Sequence, residues 1–534
     1  MDEKTLYQQT CSFFEKSFAY QYEENLKRLQ EHLQRWKETV TYKRLAPAAE
    51  QIEQIPLTDY QDYQEMADFG AAIQTLIQQD PKKQNELLAD YYDRLAKKIS
   101  YVVENALPYK LAMVVKTTGS TGTSKWLVHG EPFWENYRKD CLAIAILACS
   151  EKWGETKFKI GDKGLNVVAP IPYLSGWSVK SVIPYIQPVP PLEVADNIPD
   201  ARKKFYLALR FMEKGEKVVL GGATAALFYL LFRYFTDQTA FFLDLYRSVD
   251  FGATKLYFLY RVLKSLIKSR KNVNIFDVLP LKGAMVGGAD AKIYCEFFKN
   301  TFGIIPLNGY ASSEAGLAML GTPDDRLNLV PNLRSAYFEF MDEKGEVIAL
   351  DEVKKDGVYE AVITPFGSGL VRYKSGDLFK VVKIRDDGMP VFSCEGRKVH
   401  VIDVYGYFRL TEGLVAEALV QAGLRNSDKW AVIKQSTPEE HLHFLMEKEW
   451  DYSEVEAEKQ IFNSLINVSQ EFAEYVRIFR IKPSQIIKVE YLRKGAFTRY
   501  LMRAAKLGLP LGQLKAPKII PMNRADIFDL LRSV

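Results

Sequence analysis

The chain has 534 residues, 47% hydrophobic and 26% charged, which is more than one hydrophobic core organises, so two or more domains are expected. Its 71 basic and 67 acidic residues leave a net charge of +4, too small to argue for nucleic acid or a membrane as a bulk partner. The five cysteines, at 11, 141, 149, 295 and 394, form no CxxC pair and are odd in number; a disulfide framework or zinc site is not expected, and a reducing compartment fits.

The N-terminus, MDEKTLYQQTCSFFEKSF, is acidic where a signal peptide is basic and lacks an apolar stretch, so a cytoplasmic protein is expected. Residues 1 to 45 carry helical spacing, as in YEENLKRLQEHLQRWKETV. IPLTDYQDYQEM then predicts a helix entry with Thr58 or Asp59 as N-cap. From about 110 short apolar runs, LAMVVK, LNVVAP, EKVVLGG and LKGAMVGGA, end at small or turn residues and alternate with helical stretches. This is the α/β pattern that places ligands at strand C-terminal ends. The longest apolar run, VVLGGATAALFYLLF at 218–232, is short of a bilayer span and holds two adjacent glycines; it reads as a strand end, a turn and a buried helix, without integral membrane association.

After about 335 the runs AYFEFMDEKGEVIAL, DGVYEAVITP, LVRYKSGDLFKVVKI and MPVFSCEGRKVHVI predict strands broken by Gly and Asp turns. A smaller α+β unit follows from about 400, with TEGLVAEALVQAG and EVEAEKQIFNSLINVSQEF as helices and DKWAVIKQ and HLHFLMEKEW as strands. The expected boundary lies near 398, with 1–398 as a large α/β domain that includes a β-rich part and 399–534 as a small α+β domain on a short hinge.

Five stretches carry chemistry. KTTGSTGTSKW at 116–126 is no Walker loop, because Gly119 and Gly122 stand three apart and Lys125 follows Ser124. Its glycines let backbone N–H groups turn toward an anion, the hydroxyls of Ser120, Thr121, Thr123 and Ser124 add donors, and Lys125 adds charge. LNGYASSEAGLAML at 307–320, taken alone, reads first as a helix N-terminus capped by Ser312 or Ser313, and otherwise offers Glu314 as a single carboxylate suited to a phosphate-bound Mg²⁺. In GLVRYKSGDLFKV at 369–381, Asp377 can accept both ribose hydroxyls of a nucleoside or serve an ordinary β-turn. Arg397 follows Gly396 at the proposed hinge, and Lys515 lies in a Gly/Pro-bounded loop near the C-terminus.

In this order the five stretches resemble the adenylate-forming superfamily, which activates acyl carboxylates with ATP: TTGSTGTSK is similar to its phosphate loop, YASSE to its aromatic-hydroxyl-Glu motif, RYKSGD to its ribose motif and GR to its hinge arginine. Within it, IPLTDYQDY, GYASSEAG, the block AYFEF to GDLFKV and the ending GAFTRYL to GLPLGQLKAPK resemble the GH3 family of acyl acid amido synthetases, over about 45 to 520. The phosphate loop looks more like that of the wider superfamily, and the ending has Leu514 and Lys518 where the family has Tyr and Arg.

The resemblance implies a large adenylating domain, a mobile C-terminal domain, and ATP and Mg²⁺ as cofactors. It implies phosphate binding by Thr118, Gly119, Ser120, Thr121, Gly122, Thr123 and Lys125, Mg²⁺ at Glu314, ribose at Asp377, and a ribose or phosphate contact from Arg397. Gly288 and Ala289 would run beside the adenine, on which Tyr310 would stack, Ser312 and Ser313 would also bind ATP, and Lys515 would stabilise charge at the α-phosphate. A hydrophobic or aromatic acid is expected among Tyr173, Trp177, Thr224 and Phe228, runs that also read as plain core. The acceptor implied is an amine such as an amino acid; the alternatives are the thiol of coenzyme A and a non-catalytic nucleotide-binding scaffold.

Overall fold

The computed structural model describes residues 2–117, 125–198, 201–208, 211–212, 216–221, 225, 228, 256, 259–264, 267, 280–287, 291–292, 294–397, 401–404, 407–424, 429–437, 439–448, 451–497, 499–500, 518–520, 522 and 525–533. Described residues up to 397 fall in one compact unit and those from 401 onward in a second.

The first unit begins with helices α1 (Glu3–Cys11), α2 (Phe18–Trp36), α3 (Val40–Leu45), α4 (Gln64–Gln79) and α5 (Leu88–Lys98). Side chains cap the first three: Asp2 accepts from Thr5 N–H, Ser17 from Tyr20 and Thr39 from Tyr42. Before α4, Asp59 caps a 3₁₀ turn at Tyr60–Asp62, so the predicted cap is real but one short turn too early for the helix. Thr58 instead pairs as a strand with Tyr373, and its hydroxyl bonds Tyr63 (2.8 Å) and Val371 O (2.7 Å).

β1 (Leu111–Lys116) and β2 (Trp126–Gly130) form an antiparallel hairpin, followed by helices α6 (Glu131–Ala148) and α7 (Leu174–Val182). The main sheet comprises β3 (Asp162–Leu165), β4 (Ile186–Val189), β5 (Val218–Leu220), β6 (Leu281–Gly287), β7 (Leu307–Ser312), β8 (Gly316–Thr322), β9 (Asp325–Pro331), β10 (Ala336–Met341), β11 (Val347–Ala349), β12 (Val358–Pro365), β13 (Tyr373–Ile384) and β14 (Pro390–Arg397). Their order is β11-β10-β12-β13-β14-β9-β8-β7-β6-β5-β3-β4. From β4 to β7 all pairs are parallel; from β7 onward all are antiparallel. Of the predicted run LNVVAP, Leu165 alone lies in the ladder, because Pro170 and Pro172 follow closely and Pro cannot donate.

Helix α6 is the centre of the core, with every residue from Asp140 to Ala148 buried. It lies so close to the sheet that a Cβ at Gly283 would meet Ala148 O at 2.7 Å, so β6 needs glycine there. Its one buried acid, Asp140, is held by Arg334 Nε (2.9 Å) and the Ser335 hydroxyl, and Arg334 also donates to Thr10 O (2.7 Å). A buried ion pair of this kind fixes one geometry, because breaking it strands a charge.

In the second unit β15 (Val401–Val404) and β16 (Phe408–Thr411) form a hairpin. A sheet of order β19-β18-β17-β20 is built from β17 (Trp430–Gln435), β18 (His441–Glu447), β19 (Ile487–Leu492) and β20 (Ile519–Ile520). The run predicted as a single helix over 454–472 breaks at Ser469, which leaves helical geometry (φ −126°, ψ 108°) and caps a new helix by accepting from Phe472 N–H at 3.2 Å. Ser bonds local backbone better than it supports a helix interior.

Candidate functional site

The site grows from the point where the main sheet changes from parallel to antiparallel. β6 and β7 run in parallel to neighbouring ends, with Val286 opposite Asn308 and Gly287 opposite Gly309. The parallel ladder therefore ends with Gly287 and Gly309 side by side. Gly288 and Ala289 follow β6 but lie outside the described residues, as do Thr118, Gly119, Ser120, Thr121, Gly122, Thr123, Thr224 and Lys515.

The YASSE stretch is a β-hairpin turn between β7 and β8, not a helix N-terminus. Gly316 closes it at φ +66°, and the Ser312 hydroxyl accepts from Ala315 N–H at 3.2 Å. Glu314 sits at the turn, half-buried, with no hydrogen bond or ion pair to another described residue. A carboxylate with spare lone pairs on a rigid turn fits a single protein ligand to a phosphate-bound divalent cation. Among the described residues no group of three or more His, Cys, Asp or Glu side chains could hold a metal by itself.

Tyr310, two residues before the serines, donates its hydroxyl to Asp377 Oδ2 at 2.7 Å, and its ring packs edge-on against Phe379 with centroids 4.9 Å apart. Asp377 is buried in β13, directly opposite Arg397 of β14. The register of β12 on β13 shifts just before it, where Gly376 takes φ +73° and its N–H meets the buried Glu360 carboxylate at 3.2 Å. A positive φ favours glycine, and the bulge turns the next side chain relative to the regular pleat. Arg372 of the same motif serves the scaffold: its guanidinium forks onto Glu339 (2.9 and 2.8 Å) and donates to Ile55 O. Burial raises the Glu339 carboxyl despite the Arg372 charge beside it.

The hydroxyl-rich stretch connects β1 to β2 in the chain. Its base is closed by Thr117 N–H to Lys125 O (2.8 Å) and Lys125 N–H to the Thr117 hydroxyl (3.0 Å). Lys125 Nζ lies 4.9 Å from the centroid of the Tyr60 ring, and the Tyr60 hydroxyl donates to Trp126 O at 3.0 Å. Residues 58–63 thus strap the hairpin to β13, through Tyr60 on one side and Thr58 on the other.

A residue not singled out in the sequence connects these parts. His129 of β2 is fully buried and stacked on Phe133 (3.7 Å between centroids). Its Nε2 meets Ser313 O at 2.9 Å and its Nδ1 the Ser368 hydroxyl at 3.2 Å. Nε2 faces a carbonyl, so it carries the hydrogen. Burial lowers its pKa to about 4, which keeps the ring neutral. One imidazole therefore ties the hairpin of the hydroxyl-rich loop to the turn that carries Glu314. No sequence motif marks it; its position four residues beyond Lys125 is the one available signal.

Of the expected acyl-pocket residues, Trp177 is buried, donates Nε1–H to Val114 O at 2.8 Å and packs edge-on against Trp134. Tyr173 is the half-buried residue preceding α7, and Phe228 is fully buried. A 340 Å³ cavity beside β4, lined by residues including Lys163, Gln187, Leu192 and Phe211, includes none of them. In the second unit the chain is anchored on both sides of the Lys515 segment. Glu447 accepts from Gly495 and Phe497 N–H, each at 2.9 Å, and Val432 N–H donates to Lys518 O at 2.8 Å.

Residues 329–397, which include Asp377 and Arg397, match the GH3 family central domain. Over most of its length the chain shares the fold of two solved structures. One is the acyl acid amido synthetase AtGH3.15 in complex with 2,4-DB, at 15% identity over 95% of this chain and 92% of that one, TM-score 0.52. The other is a 2-hydroxyisobutyryl-CoA ligase in complex with 2-HIB-AMP and CoA, at 13% identity over 89% and 87%, TM-score 0.50. No curated protein matches the chain in sequence. Among the described residues no helix is long and apolar enough to cross a membrane.

Proposed function

We propose that this protein is an ATP- and Mg²⁺-dependent ligase that converts a carboxylic acid to an acyl-adenylate and transfers the acyl group to an amine such as an amino acid. The reading rests on the Tyr310–Asp377 hydrogen bond, which joins the YASSE and RYKSGD stretches, with Arg397 across the ladder from Asp377. The match of residues 329–397 to the GH3 central domain favours an amine over coenzyme A as acceptor.

In this reaction the substrate carboxylate is the nucleophile. It attacks the α-phosphorus, and pyrophosphate leaves, so this step requires no general base and the protein acts in it by positioning and charge stabilisation. In the second step the amine attacks the acyl carbon and loses a proton, and AMP leaves. The loop 119–125 wraps the β- and γ-phosphates, Asp377 accepts the ribose hydroxyls, and Arg397 contacts ribose or phosphate. Glu314 would hold Mg²⁺, which would supply neutralisation of the phosphate charge. Residues 1–398 form the adenylating domain, and 399–534 a mobile domain that brings in Lys515. The acid is hydrophobic or aromatic, and the protein works in the cytoplasm.

The decisive assay is acid-dependent pyrophosphate release by the purified chain across a panel of hydrophobic and aromatic acids. Mass analysis of products formed with amino acids or with coenzyme A then separates amide from thioester. ATP binding without pyrophosphate release for any acid sinks the enzymatic reading and leaves a nucleotide-binding scaffold.

A further inference from the structure

A cavity of 250 Å³ is lined by helices α2 and α6 and includes no residue of the stretches read as nucleotide-binding. α2 contributes Arg28, Glu31 and His32, and α6 contributes Glu135, Asn136 and Lys139. In each helix a spacing of three or four residues puts such side chains on one face. Tyr109 and Phe366 add aromatic wall.

His32 is 1% exposed, and its ring centroid lies 6.0 Å from those of Tyr109 and of Phe366. Gly367 N–H donates to its Nδ1 at 3.4 Å, so the neutral ring carries its hydrogen on Nε2. Burial lowers the pKa to about 4, which keeps the ring neutral. Nε2 has no hydrogen-bond partner among the described residues. A buried donor is costly until an acceptor meets it, and native proteins leave few such groups unmet. The charges around the cavity are also unmatched. Glu135 precedes Lys139 by four residues, the spacing that favours an ion pair, yet neither has an ion pair or hydrogen bond to a described residue. Glu31 has none either, and Arg28 donates to a backbone carbonyl, Arg334 O, at 3.3 Å.

We propose that this cavity binds a small zwitterion, its carboxylate on Arg28, Lys139 and the His32 Nε2–H and its ammonium on Glu31 and Glu135. The two cations and two anions balance, so a ligand of one sign meets repulsion as well as attraction, whereas a molecule with both charges satisfies both sets. The volume is below the range of drug-sized ligands, which fits a molecule of a few carbon atoms. The inference does not depend on the reaction the protein catalyses.

The test is calorimetric titration of the full chain, without ATP, with glycine, β-alanine and γ-aminobutyrate, and with butyrate and butylamine as ligands of one charge. At least one of the zwitterions is expected to bind with a Kd below about 10 mM, and about tenfold or more tighter than butyrate or butylamine. Glu135→Ala and Lys139→Ala, both at exposed positions, are each expected to weaken that binding by about tenfold at unchanged Tm. They serve better than His32→Phe, which would also strand the Gly367 N–H. No binding by any of the zwitterions overturns the proposal, as does equal binding of butyrate or butylamine, or an affinity that either variant leaves unchanged.

Discussion

Tyr310 and Asp377 are 67 positions apart in sequence, yet the tyrosine hydroxyl donates to the carboxylate at 2.7 Å. The contact orients a buried carboxylate that a glycine bulge has already turned out of the regular pleat. Tyr310→Phe removes the hydroxyl and keeps the ring against Phe379. A hydrogen bond to a charged group is worth about 1.5–3 kcal/mol, so KM for ATP should rise by roughly tenfold or more with kcat less affected. Steady-state pyrophosphate release checks it, and an unchanged KM removes Asp377 from nucleotide binding.

Glu314→Gln should lower adenylation by about a hundredfold or more, a loss of the size expected when a charge-stabilising group is removed. Its Tm should stay within a degree or two of the parent, because Glu314 has no described partner to lose. Raised Mg²⁺ should partly restore the rate. Full activity at ordinary Mg²⁺ would remove Glu314 from metal binding.

Lys515→Ala should abolish pyrophosphate release while leaving ATP binding, measured by calorimetry, largely intact. A lysine that serves the developing charge matters in the transition state far more than in the ground state. Retained release defeats the assignment.

His129 gives a pH dependence with a definite sign. The unfolded chain takes up its proton near pH 6.5, whereas burial lowers the folded-state pKa to about 4. Its contribution to stability is therefore complete above pH 6.5 and declines as the pH falls toward about 4, by about 3 kcal/mol at most. In His129→Gln the difference in Tm from the parent should narrow across that window. If the imidazole also positions the Glu314 turn, the variant should show a raised KM for ATP at pH 7.5, beyond any loss of stability. A pH-independent Tm difference would mean that the ring is not buried neutral.

The strands from Ala336 to Arg397 were legible because apolar alternation and Gly or Asp turns mark each end, as in DGVYEAVITP. The hairpin at Glu314 was not. Serines followed by a glutamate suit a helix N-cap as well as a turn, and the decision rests with Gly316 at φ +66° and with the pairing of Ser312 opposite Gly316. Ser469 shows the reverse case, in which a continuous helical pattern hides a capping residue. The contacts of His129 and Tyr60 are not legible in the sequence for a different reason. Their partners, Ser313 and Trp126, are 184 and 66 positions away, so no local spacing encodes the contact. Arg372 lies in a motif read as nucleotide-binding, yet it serves a structural pair with Glu339, a division of labour that depends on which face of the chain each residue takes.

The N-terminal helices have a consequence for synthesis on the ribosome. Thr10 O is held by Arg334, Asn25 Nδ2 donates to Leu333 O and to Ala336 O (2.8 Å), and Trp36 Nε1 donates to Gly369 O (2.9 Å). These partners are translated more than 300 residues later, with separations of 324, 308, 311 and 333. At roughly 5–20 residues per second, the first helices wait about 15–60 s before their docking surface exists. During that interval Leu29, Leu33 and Trp36 lack the cover that Tyr337, Phe366 and Val371 give them in the folded domain. An isolated fragment that ends before residue 370 would be expected to aggregate rather than fold.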